Sequence, residues 1–268
     1  MNRLVAGGAG NGRKEAIVAD ANGTEWLKLP SGSSIATRLR EGTGPATLVF
    51  LPGYASDMEG GKALALDAFA AERGFGLLRL DYSGTGASPG RFEDGTLERW
   101  TAEARAAIEQ RTTGPVVLVG SSMGGWIALH LALQLGARVR GLLGVAAAPD
   151  FTDWGFTAEE KAALQVEGRL ERVNPYGGSA QVTSLAFWES GECMRLLGAP
   201  IGIDCPVRLL HGDHDKDVPV AIALRLLTQL RSADVQLTVV KGGGHRLSEP
   251  HEIRTLLRTA ADLLELAQ

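Results

Sequence analysis

The sequence predicts an α/β fold in which a mostly parallel sheet is covered by helices on both faces. Two observations carry this. Short, nearly unbroken apolar runs recur along the chain, VVLV at 116–119 being the clearest, and stretches with helical apolar spacing follow most of them. A strand that is apolar on both sides is buried on both sides, and crossover helices are what cover a parallel sheet that way. A length of 268 residues suffices for one such domain with a sizeable core, or a domain with a small insertion.

The elements follow in order. Residues 1–14 are glycine-rich and polar and predict no element. Residues 25–29 (EWLKL) and 34–40 (SIATRLR) alternate about a turn at 30–32, which predicts an antiparallel pair at the sheet edge. The run ATLVFL (46–51) predicts a buried strand, followed by a Pro52-Gly53 loop and a helix over 62–73. GLLRLD (76–81) predicts the next strand, then a glycine-rich loop and a helix over 97–110. Residues 116–119 give a strand, a tight turn and a helix over 124–135. Three further strands are expected at 141–146, 206–210 and 235–240, with helices over 220–230 and 251–266 after the last two.

One stretch breaks the rhythm. Residues 150–204 lie between two expected strands but are too long for one crossover helix, so the chain divides into a core (1–149 and 205–268) and an insertion (150–204). The insertion holds Phe151, Trp154, Phe156, Phe187 and Trp188. Thr157-Ala-Glu-Glu160 reads as a capping box that opens a helix. It could be a helical pair with its own small core. The expectation is a lid that turns Phe151, Trp154, Phe156 and Trp188 towards substrate, because long insertions in compact domains are often functional.

Composition narrows the class. The formal net charge of -4, with Lys and Arg scattered, gives no basic field for nucleic acid or anionic lipid. No run is long and apolar enough for a membrane span. MNRLVAGGAG lacks the apolar centre of a secretory leader, and Asn22-Gly-Thr reads as a turn before it reads as a glycosylation site. Cys193 and Cys205 form no framework. The expectation is a cytoplasmic protein.

The chemistry centres on Gly120-Ser121-Ser122-Met123-Gly124, a G-x-S-x-G pattern between a strand and a helix. That context suits a nucleophile elbow. The turn is so sharp that side chains two before and two after the nucleophile would collide, and glycine removes the collision. Centring the pattern on Ser121 would need glycine at Val119 and Met123, so Ser122 is the candidate nucleophile; a helix-capping serine is the plainer alternative. A serine hydroxyl needs a base, and the base an orienting carboxylate. Of the five histidines, His130 lies on the helix after the elbow, His211 and His214 flank one loop, and His251 opens the last helix. His245 follows the last strand behind three glycines and alone has the required order and place. The acid comes from His211-Gly-Asp213-His-Asp215-Lys-Asp217-Val-Pro219, where spacing leaves three aspartates open.

Taken together, LPGY (51–54), LDYSGTGAS (80–88), GSSMGGW (120–126), CPVRLLHGDHDKDVP (205–219) and GGGHR (242–246) resemble the alpha/beta-hydrolase fold. More narrowly they resemble the alpha/beta-hydrolase-domain-ten group of mitochondrial palmitoyl-protein thioesterases and acyl-glucuronide esterases. The resemblance runs from about Leu48 to near the C-terminus. It implies that the acid is Asp215, the fifth residue of the pattern H-G-x-x-D-x-x-V-P. It also implies an oxyanion hole built from the N–H of Met123, at the positive end of a helix, and the N–H of Tyr54.

Other matches fall away on inspection. Asp213-x-Asp215-x-Asp217 mimics a calcium loop, but its sixth position would be Val218 and its twelfth Leu224. His211, Asp213 and His214 have no completing cluster for a metal. Gly84-Thr-Gly86 lacks the third glycine of a dinucleotide site, and Gly7–Lys14 has Arg13 where a phosphate loop needs Lys. The loop at 81–88 is expected to pack beneath the active site. The reading is a serine hydrolase without cofactor or metal, acting on a carboxylic ester or thioester of a small molecule or an acylated protein. The alternatives are a cofactor-free haloperoxidase or C–C hydrolase on the same fold, or a ligand-binding receptor with a slow triad.

Overall fold

The computed structural model describes residue 20 and residues 23–30, 32–173, 177 and 180–267. The amino-terminal glycine-rich stretch, with Arg13, and Asn22 of the sequon lie outside the described residues.

An edge hairpin, β1 (Glu25–Lys28) and β2 (Ser34–Arg40), opens the chain. Three strand–helix units follow: β3 (Thr47–Leu51) with α1 (Gly61–Arg73), β4 (Gly76–Leu80) with α2 (Leu97–Arg111), and β5 (Val116–Ser121) with α3 (Met123–Leu135). After β6 (Val139–Val145) the chain leaves the sheet through α4 (Phe151–Trp154), α5 (Ala158–Glu167), β7 (Arg169–Arg172), β8 (Gln181–Ser184) and α6 (Leu185–Cys193). It returns with β9 (Val207–Gly212), α7 (Val220–Gln229), β10 (Val235–Val240) and α8 (Pro250–Leu266). The sheet runs β1-β2-β4-β3-β5-β6-β9-β10. β2 is antiparallel to both β1 and β4, and the pairings from β4 to β10 are parallel. The expected antiparallel edge and covered parallel sheet are therefore present.

Alternate residues of the central strands face two cores. Val49, Leu51 and Leu118 pack with Trp100, Trp126 and Ile222 from α2, α3 and α7. Leu48, Phe50, Val117 and Val119 pack with Leu66 and Leu256 from α1 and α8. Each fully buried side chain of this size contributes about 1.5–3 kcal/mol. Helix α3 is buried on most of its surface from Met123 to Ala132, which fixes the turn that precedes it.

The excursion between β6 and β9 differs in detail from the small helical lid that was expected. It includes an antiparallel hairpin, β7 with β8, which forms its own two-stranded sheet. The capping box is as expected: the Thr157 hydroxyl accepts from Glu160 N–H at 3.2 Å, and the Glu160 carboxylate accepts from Thr157 N–H at 2.8 Å. The segment is fastened to the core. The buried Asp150 carboxylate accepts from Leu196 and Leu197 N–H, both at 2.8 Å, and Trp126 Nε1 donates to the Met194 carbonyl at 3.2 Å.

Candidate active site

Ser122 stands between the end of β5 and the start of α3 with φ 55° and ψ −119°. A non-glycine residue in that region is strained by about 1–3 kcal/mol and persists only where its surroundings enforce it. Here they do. Ser122 N–H donates to the Val145 carbonyl at 2.9 Å, and the Ser122 carbonyl accepts from Gly125 and Ala148 N–H at 2.9 and 3.1 Å. The flanking glycines are required by space. A Cβ on Gly120 would run into the backbone of Gly124, and a Cβ on Gly124 into the carbonyl oxygens of Leu51 and Pro52. The collision expected from the sequence thus has two partners, the elbow itself and the end of β3.

Two loops from neighbouring strands meet at the serine. Asp215 follows β9 and His245 follows β10. His245 Nε2 lies 3.0 Å from Ser122 Oγ, and His245 Nδ1 lies 2.9 Å from Asp215 Oδ2. The loops are stitched together: Asp213 N–H donates to Val240 O at 3.2 Å, His214 N–H to Gly243 O at 2.9 Å, and Gly242 N–H to Asp213 Oδ1 at 2.5 Å. Asp213, one of the three aspartates left open by spacing, therefore ties down the glycine loop that carries His245.

The Asp215 side chain is buried. Burial pushes its carboxyl up, but the hydrogen bond and charge of His245 and the N–H groups of Val218 and Asp217 outweigh this and hold it below the usual carboxylate range. Both N–H groups donate to Oδ1 at 2.9 Å, which leaves Oδ2 to the imidazole. Buried His211 donates from Nε2 to the Val218 carbonyl at 2.9 Å and lies 3.5 Å from Asp215 Oδ2, so it braces the same loop. His130 bonds the Met194 carbonyl at 2.9 Å, and burial lowers its pKa, in keeping with a packing role. Among the described residues, Asp215, Asp217 and His245 form the one group of side chains close enough to share a cation, and two of these already pair with each other.

The loop after β3 passes directly over the elbow: a Cβ on Gly53 would sit 3.2 Å from both the Ser121 carbonyl oxygen and Ser122 Cβ. Among the described residues the N–H groups of Tyr54 and Met123 have no acceptor within the chain. Beneath this loop lies buried Asp81, whose carboxylate accepts from Met58 and Ala87 N–H at 2.7 and 2.8 Å. The glycine-rich stretch 81–88 thus supports the loop from below, as expected.

A cavity of about 730 Å³ opens over Ser122 and His245. Of the four aromatic residues expected to face substrate, Phe151 and Trp154 line it. Phe156 and Trp188 do not. Phe156 is buried against Phe151 and beneath the Arg172 guanidinium, 4.2 Å from the ring centre, and Trp188 is turned aside to donate from its indole to the Thr152 carbonyl at 3.0 Å. The sequence reading also missed the cations on the cavity wall, Lys62, Arg172, Lys216 and Arg246. They come from four separate segments, and no local motif joins them. Lys62 donates to the Arg246 carbonyl at 2.5 Å, and burial, with the Arg246 charge, lowers its pKa to about 8.

The chain belongs to the alpha/beta hydrolase family, whose family model matches residues 48–256. Among its curated relatives, the mitochondrial palmitoyl-protein thioesterase ABHD10 of Pongo abelii is 35% identical over 244 residues, spanning 90% of this chain and 79% of the relative. The Homo sapiens protein of the same name is 34% identical over the same shares. Among solved structures, a putative hydrolase from Agrobacterium vitis S4 superposes with a TM-score of 0.85 at 39% identity, over 90% of this chain and 98% of that one. Alpha/beta hydrolase domain-containing protein 10 from mouse gives 0.85 at 32% identity, over 91% and 99%. These relatives correct one expectation. The curated proteins are named as mitochondrial, which overturns the cytoplasmic location inferred from the amino-terminal residues. Among the described residues no helix is long and apolar enough to cross a membrane.

Proposed function

We propose that the protein is a serine hydrolase that cleaves carboxylic esters or thioesters through an acyl-enzyme. The observation that carries this reading is the hydrogen-bonded series Ser122–His245–Asp215 at the floor of an open cavity. In the first half-reaction Ser122 Oγ attacks the acyl carbonyl and His245 Nε2 takes the hydroxyl proton. The tetrahedral intermediate places its negative oxygen at the N–H groups of Met123 and Tyr54. It collapses as His245 returns the proton to the leaving alkoxide or thiolate. In the second half-reaction water attacks the acyl-serine, gives its proton to His245, and the proton returns to Ser122 Oγ as the free acid leaves. Asp215 keeps the Nδ1–H tautomer facing away from the serine and stabilises the imidazolium. One oxyanion donor is worth about 3–4 kcal/mol of transition-state stabilisation.

The insertion acts as a lid in this reading. Phe151 and Trp154 supply an apolar wall for the acyl chain, and the cations that share the cavity lining suit a polar leaving group. The names of the curated relatives favour a thioester of an acylated protein; a small acyl ester would use the same machinery. A series of acyl lengths, each offered as oxygen ester and as thioester, tests the assignment. Steady turnover that Ser122→Ala abolishes supports it, and turnover that survives the substitution contradicts it.

A further inference from the structure

Tyr54 does more than present a backbone N–H. Its side chain crosses from the loop after β3 to the insertion, and its hydroxyl donates to the Val182 carbonyl on β8 at 2.7 Å, with Thr183 Oγ1 a second, weaker partner at 3.4 Å. The ring is wedged among Phe92, Trp100, Phe151 and Phe187, with centroids 4.8–6.1 Å away. Burial pushes the phenol up to about 12, so it is a donor at neutral pH. Four aromatic contacts and one short hydrogen bond hold this side chain between the core and the hairpin, and its own backbone is part of the loop over Ser122. The same part of the hairpin is held from its other strand, one register position away. Arg172 on β7 pairs with Glu160 at 2.8 and 2.6 Å and donates to the Gly155 carbonyl at 2.9 Å.

We propose that the Tyr54 side chain is a positioning group through which the β7–β8 hairpin sets the oxyanion loop, so that the acyl-transfer step depends on where the insertion sits. The proposal rests on the serine-hydrolase reading above. A hairpin displaced from the core pulls on the Tyr54 hydroxyl, and the loop 52–54 moves with it. Because the geometry at a developing oxyanion is demanding, a fraction of an ångström there matters more than the same shift elsewhere.

Tyr54→Phe removes one oxygen and keeps the ring packing. With a short p-nitrophenyl ester that does not reach the lid aromatics, the proposal predicts a roughly tenfold fall in kcat with KM within about twofold, and an equal fall in the rate of fluorophosphonate labelling. A merely structural hydroxyl would lower Tm and leave kcat in place. Glu160→Ala releases Arg172, itself on the cavity wall, and so loosens the hairpin; read with the same short neutral ester, which offers the freed guanidinium no charged partner, it decides the matter should Tyr54→Phe fold poorly. Its predicted effect is also on kcat, and it should add little in the double variant. Parental kcat in folded Tyr54→Phe, or in Glu160→Ala with hydrogen exchange showing the hairpin loosened, overturns the proposal. Loss of turnover in Ser122→Ala alongside either result shows that only the coupling, not the serine mechanism, has failed.

Discussion

Asp215 presents one carboxylate oxygen to His245 and gives the other to its own loop. Oδ2 lies 2.9 Å from His245 Nδ1, while Oδ1 accepts from the N–H groups of Asp217 and Val218. The carboxylate cannot rotate without breaking three bonds. Asp215→Asn keeps the shape but presents an amide to Nδ1, which favours the wrong tautomer, so kcat should fall on the order of 10³–10⁴-fold. Asp213→Ala instead frees Gly242 N–H and loosens the histidine loop. Because that bond is exposed, the change should cost about 0.5–1.5 kcal/mol of stability and only a small part of the rate. Steady-state kinetics with thermal melts separate the two.

The same environment fixes a pH dependence of stability. Asp215 is held below its ordinary value of 3.8 in the folded chain. Its carboxylate therefore stabilises the fold above that ordinary value, and the contribution disappears as pH falls through the lower folded value. The stability gap between the parent and Asp215→Asn should be full at neutral pH and narrow below about pH 4. Denaturant titrations at a series of pH values check the sign, since a gap that widens on acidification contradicts it.

Two residues of the elbow, Gly124 and Ser121, should behave in opposite ways. Gly124→Ala drives a methyl group into the Leu51 and Pro52 carbonyls, both backbone and neither able to yield. It should cost several kcal/mol, of the order of 3–5, and remove the elbow. Ser121 has no hydrogen bond from its hydroxyl to a described residue, so Ser121→Ala should keep most of the activity. Expression, melting temperature and turnover of the pair give the comparison.

Trp154 and Trp188 also part company. Trp154 lines the cavity, so Trp154→Ala should lower kcat/KM for long acyl esters by roughly tenfold, the worth of one large apolar contact, and spare acetyl esters. Trp188 anchors to Thr152. Trp188→Ala should lower Tm and leave the acyl-length profile unchanged.

Much of this is legible in the sequence. VVLV is buried on both faces because it is apolar on both faces, and the glycine register around Ser122 reflects a spatial constraint that only one centring satisfies. The hairpin was not legible: RLER and QVTS are half-exposed and carry little apolar alternation, so neither strand has a burial signal to read. The lid aromatics misled for a related reason. Aromatic content marks an insertion with something to bury, but the carbonyl each indole finds decides where its ring goes: Pro149 holds Trp154 at the cavity, while the Thr152 carbonyl that claims Trp188 lies 36 residues upstream. The cavity cations and the Asp213 tie depend on loops that only the strand order brings together.

The proposed mechanism stands or falls with Ser122 Oγ as the nucleophile. Intact-mass analysis after saturation with a fluorophosphonate probe, with peptide mapping of the adduct, tests it most directly. One adduct is expected, on the peptide and at the residue of Ser122, and none on Ser122→Ala. Labelling of Ser122→Ala as strong as that of the parent, or an adduct mapped to Ser121, would contradict it.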